Sequence, residues 1–316
     1  MIRFLFNSLQ KVLSLAWSIN RPIAALFLIS LVSFGLSLCG IGWALCAGDM
    51  QIELWQKSLK FSLSFMLYSF SLLQIAANLD SLKPLLKVTS LSVLIGAVLE
   101  LSSIYGALLV AHFGSPLQIQ ASEKSLLLLA RTAIIPVSMA LPIFLFLLLR
   151  KPGITPLRLY GFCWGTALAL LGLIPGLMML MPAAIFHGWP AYLSSSSKLT
   201  LAQAIGHGEL RTAHFFGIHA LQIIPLAAYA LEKSFLFIEE DRKLRLLCFF
   251  ACNYAFAIGL LTLQALSGES FFAPSLSHLQ AAGIFLLFSF LAIPAVLFCP
   301  RLRELTRPEK AFDSHL

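Results

Sequence analysis

The chain has 316 residues, of which 59% are apolar and 11% are charged, whereas a soluble domain has about a quarter charged residues. This composition, with a mean hydropathy of +0.88, excludes a soluble globular protein and equally excludes a disordered chain, a collagen or a coiled coil. The net charge of +8 would indicate a nucleic-acid partner only if the basic residues gathered on one soluble face. They are spread over many loops, so we expect the lipid bilayer as partner and no nucleic acid.

Residues 1–20 are predicted to form a short amphipathic helix at the membrane interface. Ile2, Leu5 and Leu9 share one helical face, and the opposite face carries Arg3 and Asn7. A narrow apolar face of this kind is typical of helices that lie in the interface.

Residues 22–299 contain eight apolar runs, each long enough to cross about 30 Å of hydrocarbon as a helix. The runs are 22–47, 58–78, 88–113, 125–149, 159–185, 209–231, 246–266 and 279–298. The predicted fold is therefore an all-α polytopic membrane helix bundle with eight transmembrane helices. Residues 300–316 are predicted to be a basic cytoplasmic tail.

The distribution of Lys and Arg predicts the orientation, because cytoplasmic loops are enriched in positive charge. Of the 22 basic residues, sixteen fall on one side of an eight-span arrangement. The other side has only Lys57, Lys60, Lys124 and Lys198, and two arginines lie within spans. Both termini are therefore expected in the cytoplasm.

Several predicted spans contain helix breakers, which favour kinks. They are Pro136, Pro142, Pro175, Pro225 and Pro294. Proline is common in membrane helices, but broken helices are also the means by which transporters build binding sites inside the membrane. Both interpretations remain open from the sequence.

Six of the seven histidines map to the outer side of this arrangement, and only His315 lies in the cytoplasmic tail. They are His112, His187, His207, His214, His219 and His278. Histidine is the commonest ligand of haem iron and of zinc or copper. His112, His187, His207 and His278 are therefore predicted as candidate metal ligands.

Polar residues are densest in the stretch 206–225, which overlaps the sixth predicted span. At about 100° per residue, Arg211, His214 and Gln222 fall on one face of an ideal helix, whereas His219 lies about 140° from His214. These four residues are predicted to bind a cofactor, b-type haem or a transition metal, with His214 as the more important histidine. A second ligand would have to come from another segment, because the zinc-protease pattern H-E-x-x-H is absent.

Two charged residues fall deeper in the predicted spans. Glu100 and Arg131 differ in depth by roughly 9 Å, which a long arginine side chain could bridge. They are predicted to form an intramembrane charge pair. The pair could join the third and fourth helices, or it could belong to a proton or ion pathway.

Two segments resemble a family of bacterial multi-pass integral membrane proteins. GELRTAHFFGIHALQ at 208–222 resembles the family pattern GDLRxAHFxGLHxLQxLPL, with Glu209 for Asp and Ile218 for Leu. QALSGESFFAP at 264–274 resembles the segment QALRGQPLxxP that follows the next span. His187 stands where the family often has a Gly-His pair, although Phe186 replaces the glycine. The resemblance implies a bacterial cytoplasmic (inner) membrane location and implies no reaction.

Three functions are compatible with these features, and they leave open whether the chain is an enzyme. A haem- or metal-binding membrane redox protein would explain the sidedness of the histidines. An ion-coupled small-molecule transporter would explain the helix breakers and the embedded charges. A non-catalytic membrane assembly factor would need only the apolar helices.

Overall fold

The computed structural model describes residues 14–48, 52–79, 83–150, 155–180, 209–235 and 238–298. Within these residues the regular structure is helical, apart from one isolated antiparallel bridge between Ser270 and Ala273. The helices are α1 Arg21–Ala47, α2 Ile52–Ala76, α3 Lys83–Phe113, α4 Pro116–Leu149, α5 Pro156–Leu180, α6 Leu210–Ile218, α7 Ala220–Ser234, α8 Glu240–Leu266 and α9 Leu276–Phe298. Residues 14–19 are also helical, and residues 1–13 of the predicted interfacial helix lie outside the described residues.

Eight spans in the described part of the chain are long and apolar enough to cross a membrane, with α6 and α7 together forming one of them. The predicted all-α polytopic fold with eight transmembrane helices is confirmed, and the chain is a multi-pass membrane protein. The helix ends agree with local sequence signals at α1. Asn20 caps its start, accepting a hydrogen bond from the Ile23 N–H, and Gly48 ends it with a φ of 66°, which suits a residue without a Cβ.

The orientation of these spans stays a prediction with a direct test. Reporter fusions after Arg158 and after Ser196 are expected to lie on opposite sides of the membrane, because one span separates them and the basic loops face the cytoplasm. An enzyme reporter active in one compartment measures this. Two fusions in the same compartment would contradict the arrangement.

The chain divides into two compact units, Met1–Gly153 and Ile154–Leu316, and the boundary between them falls inside the predicted domain 22–299. In the first unit, α1–α4, buried hydroxyls link three helices. Ser33 Oγ shares hydrogen bonds with Ser62 Oγ (2.6 Å) and with the Tyr105 hydroxyl (2.8 Å), while Ser37 Oγ bonds Ser58 Oγ (2.7 Å). Small residues that bond across helices allow close packing where lipid offers no hydrophobic driving force.

The second unit, α5–α9, contains a close approach between two helix backbones. A Cβ at Gly172 of α5 would lie 2.5 Å from the Cα of Gly217 in α6. Tyr254 of α8 secures the same region, because its hydroxyl donates to the Phe216 carbonyl (2.6 Å) and its ring stacks on that of Phe216. Together these contacts hold α5, α6 and α8 against one another.

The predicted helix breakers do not end their helices. α4, α5, α7 and α9 continue through their prolines. The sixth span is interrupted instead at a single turn residue, His219, six residues before Pro225.

Candidate functional site

Three of the predicted site residues, Arg211, His214 and His278, lie at one end of the second unit, which we call the histidine end. It comprises the end of α5, the start of α6, the end of α8 and the start of α9. A small apolar cluster unites the first three of these elements. Leu210 and Ala265 are its buried members, and Met178, Met179 and Leu266 pack against them.

His214 is held in a fixed orientation between α5 and α6. Its Nδ1–H donates to the Gly172 carbonyl oxygen over 2.9 Å. A Cβ at Gly176 would lie 2.6 Å from this Nδ1, so the ring fits only because position 176 has no side chain. A carbonyl can only accept a hydrogen bond, so the neutral ring has its hydrogen on Nδ1 and its lone pair on Nε2.

The other predicted residues of this stretch have different partners. His219 Nδ1–H donates to Gln222 Oε1 (3.2 Å), and Arg211 Nε lies 2.6 Å from Glu209 Oε1. This ion pair lacks hydrogen-bond alignment, because Glu209 Oε1 is buried without a hydrogen-bond partner. Arg211, His214 and His219 therefore have three different partners, Glu209, Gly172 and Gln222.

His278 belongs to a second arrangement at this end, which sequence reasoning missed. Its Nδ1–H donates to Glu269 Oε2 (2.8 Å), and the same oxygen accepts from the Ser275 backbone N–H (2.8 Å). Gln264, at the end of α8, donates from Nε2 to the Ser270 carbonyl (2.7 Å). We call these five residues the α8–α9 clasp.

Gln264, Glu269 and Ser270 of the clasp lie in the segment 264–274, and Ser275 and His278 follow it. Gly268 turns the chain after α8 with a φ of 78°, a conformation that suits glycine. The nine-residue separation of Glu269 and His278 gave no sequence signal, because that separation has meaning only after the turn has formed.

The Glu269 carboxylate, which lies outside the spans, is stabilised by its hydrogen bonds. The hydrogen bond from the Ser275 backbone N–H holds the pKa of this carboxyl below its ordinary value of 4.5, and the Ser275 hydroxyl and His278 act in the same direction. Glu269 is therefore ionised at neutral pH and can accept from both partners.

Acidification is expected to open the clasp. Because the folded carboxyl has a lower pKa than the unfolded one, its stabilisation is complete above 4.5 and is lost as the pH falls through the lower folded value. Hydrogen exchange at Ser275, corrected for the intrinsic rate, should show this loss of protection. Glu269→Gln serves as the control, with weak protection and little pH dependence. Identical profiles for the two proteins would contradict the prediction.

The remaining predicted metal ligands are not assembled into a site among the described residues. His112 lies in the first unit, where its Nδ1 bonds the Leu108 carbonyl (3.0 Å) and its ring lies near Trp43 and Trp55. His187 and His207 lie outside the described residues. No group of three or more His, Cys, Asp or Glu in the described part of the chain could hold a metal ion.

The predicted pair of Glu100 and Arg131 is not formed among the ion pairs of the described residues. Arg131 is exposed, while Ala133 is only 1% exposed. Residues two positions apart lie about 200° apart around a helix axis. Arg131 therefore points away from the face of α4 that packs inside the unit. The sequence predicted compatible depths for Glu100 and Arg131, but Arg131 does not face the direction around α4 that the pair requires.

Glu100 is instead a buried carboxylate in α3 with an unsatisfied oxygen. Its residue is 6% exposed, and its Oε2 has no hydrogen-bond partner. The nearby Ser103 hydroxyl donates to the Glu100 backbone carbonyl (2.7 Å) rather than to the carboxylate. Lys57 of α2 is the cation whose charge acts on Glu100.

Comparisons with models of known protein families, with curated proteins and with solved structures find no match to this chain. Inference about function therefore depends on the chemistry of the two places described above, the histidine end and Glu100.

Proposed function

We propose that this multi-pass membrane protein is an ion-coupled small-molecule carrier in which Glu100 binds the coupling ion. We further propose that it lies in a bacterial cytoplasmic membrane with both termini inside. The observation that carries the functional proposal is the unsatisfied Oε2 of Glu100, a residue only 6% exposed.

The position of Glu100 makes a purely structural role costly. It lies 17 residues after Lys83 and 13 before Phe113, the two ends of α3, so it is at least roughly 20 Å from either end of the helix. A charge at such depth costs about 2.5 to 3.5 kcal/mol on insertion scales, and such residues usually have a partner. A buried acceptor without a partner adds a further penalty. Lys57 of α2 offsets part of the first cost through its charge, and binding an ion would compensate the rest together with the unsatisfied oxygen.

The packing around this part of α3 also favours a carrier. A Cβ at Gly96, one turn before Glu100, would lie 2.6 Å from the Ala133 carbonyl oxygen of α4, so the two helices approach closely there. Pro136 has no N–H and leaves the Thr132 carbonyl without its usual helical donor. α4 continues as a helix through this proline, and the carbonyl that lacks its helical donor is available to a polar group or an ion.

The test is charge movement across a membrane that contains the purified full chain. Proteoliposomes adsorbed on a solid-supported electrode would be exposed to rapid steps of pH and of amino acids, sugars and carboxylic acids. We expect at least one solute to produce a transient current in the wild-type protein and none in Glu100→Gln. Glu53→Gln is the matched control, because Glu53 is exposed at the start of α2. Equal currents from wild type and Glu100→Gln would contradict the proposal.

A second candidate function, binding of b-type haem or a transition metal, is favoured by the anchored imidazoles of the histidine end. His214 and His278 each donate from Nδ1 to an oxygen acceptor, which leaves Nε2 available as a ligand. Metal-binding histidines commonly have their other nitrogen held in this way.

An absorption spectrum with metal analysis of the purified protein tests this second function. His214→Ala is expected to remove a haem or metal signal without affecting membrane insertion, while His219→Ala should mainly lower stability. Equal occupancy in wild type and His214→Ala, or no cofactor in either, would exclude His214 as the ligand and leave the carrier function.

A further inference from the structure

We infer that the ion exchanged at Glu100 is a proton and not a metal cation. The inference rests on the proposed carrier function and concerns the same carboxyl group. It depends on how many oxygen ligands for a cation lie near the Glu100 carboxylate.

A metal cation at this depth would need a shell of oxygen ligands. Hard cations such as Mg²⁺ and Ca²⁺ take about six or more. The Ser103 hydroxyl, on the next turn of α3, is directed to the backbone carbonyl of Glu100. Gly96, one turn before Glu100 in α3, has no side chain and lies against Pro136 and Val137 of α4. The described neighbours on these two turns therefore supply no second side-chain oxygen to the carboxylate.

The hydroxyl network of the first unit does not complete such a shell. Tyr105 is five residues beyond Glu100 and about 140° around α3. Its hydroxyl donates to the Ser33 backbone carbonyl (2.9 Å) and lies 3.2 Å from Ser37 Oγ. These groups satisfy one another on the side of α3 that faces α1. Among the described residues of the first unit, Glu100 Oε2 and Ser30 Oγ of α1 are the buried side-chain oxygens without a hydrogen-bond partner, which is far fewer than the roughly six or more oxygens that a hard cation takes.

A proton requires none of these ligands. It forms one O–H bond with a carboxylate oxygen and makes the group neutral, which removes the charge from the apolar surroundings. Release breaks the same bond and returns the carboxylate, so each cycle takes up one proton and gives up one proton. No other bond changes and no oxidant or reductant is needed.

The charged groups around Glu100 are compatible with this exchange. Lys57 acts on Glu100 from α2, so its ammonium attracts the carboxylate once the proton has left. Arg131 of α4 is exposed and faces away. The only charged residue of α1 is Arg21, at the first position of that helix, and the other charged residues of α3, Lys83 and Lys87, lie in its first turns.

Labelling with dicyclohexylcarbodiimide, an apolar reagent that reacts with protonated carboxyl groups, tests the inference. The full chain in vesicles of phosphatidylethanolamine and phosphatidylglycerol would be treated over a range of pH, and the adduct located by peptide mass spectrometry. We expect an adduct on Glu100 that decreases about tenfold per pH unit once the carboxyl ionises. Sodium, potassium or magnesium chloride at constant pH and ionic strength should give no protection. Exposed Glu53 is the internal control and should stay unlabelled.

The outcomes separate this inference from the function on which it rests. Protection of Glu100 by one of the metal cations at constant pH would overturn the proton assignment and leave an ion-coupled carrier. Labelling that does not change with pH would also overturn it, because the carboxyl would then never release its proton. No labelling at any pH, together with unchanged currents in Glu100→Gln, would reject the carrier function itself.

Discussion

Replacement of Gly172 with alanine is expected to destabilise the second unit by about 1–3 kcal/mol or more. The added Cβ would lie 2.5 Å from the carbonyl carbon and Cα of Gly217 and 2.8 Å from the Ile218 nitrogen. These are backbone atoms of α6, which cannot rotate away as a side chain can, so α5 and α6 must separate. The separation would also lengthen the bond from His214 to the Gly172 carbonyl.

Gly259→Ala is the matched control for this prediction. Gly259 lies in α8 of the same unit, and a Cβ there would meet no atom within 4 Å. Because alanine favours helix over glycine by up to about 1 kcal/mol, this variant should be neutral or slightly more stable. Thermal unfolding in detergent or nanodiscs measures both. A melting temperature of Gly172→Ala equal to that of Gly259→Ala would show that the close approach does not limit stability.

Replacement of Glu100 with leucine is expected to raise stability and to abolish charge movement. Leucine is similar in size and has no polar atom to desolvate, so it removes the penalty of a buried acceptor without a partner, about 1–3 kcal/mol. Functional sites are often destabilising in this sense, and their replacement by apolar residues stabilises the fold.

The control for this variant is Glu53→Leu, at an exposed position in α2, which should change the free energy of unfolding by no more than about 0.5 kcal/mol. Both melting temperatures and both current amplitudes would be measured on the same preparations. A Glu100→Leu protein less stable than wild type would mean that the carboxylate has a stabilising structural role.

The segments that contain the site residues could be predicted from the sequence, because such segments are recognised from residues that are close along the chain. The histidine-rich stretch around His214 was recognisable, and so was the segment that contains Glu269. The separation of His214 and His219 on a helix already implied different surroundings, and the two have different hydrogen-bond partners. The partners themselves, Gly172 and Gln222, could not be distinguished from other polar groups at similar positions.

The sequence by itself determined the all-α class, the eight spans and the approximate depth of each polar residue. Apolar length and rise per residue suffice for these, because every backbone polar group inside lipid must be satisfied within its own helix. Direction around each helix was decided only by the tertiary structure. In a soluble protein the apolar face of a helix indicates which side is buried, but in lipid both sides are apolar. For that reason the sequence placed Glu100 and Arg131 at compatible depths, and only the packing of α3 and α4 turned one inward and the other out.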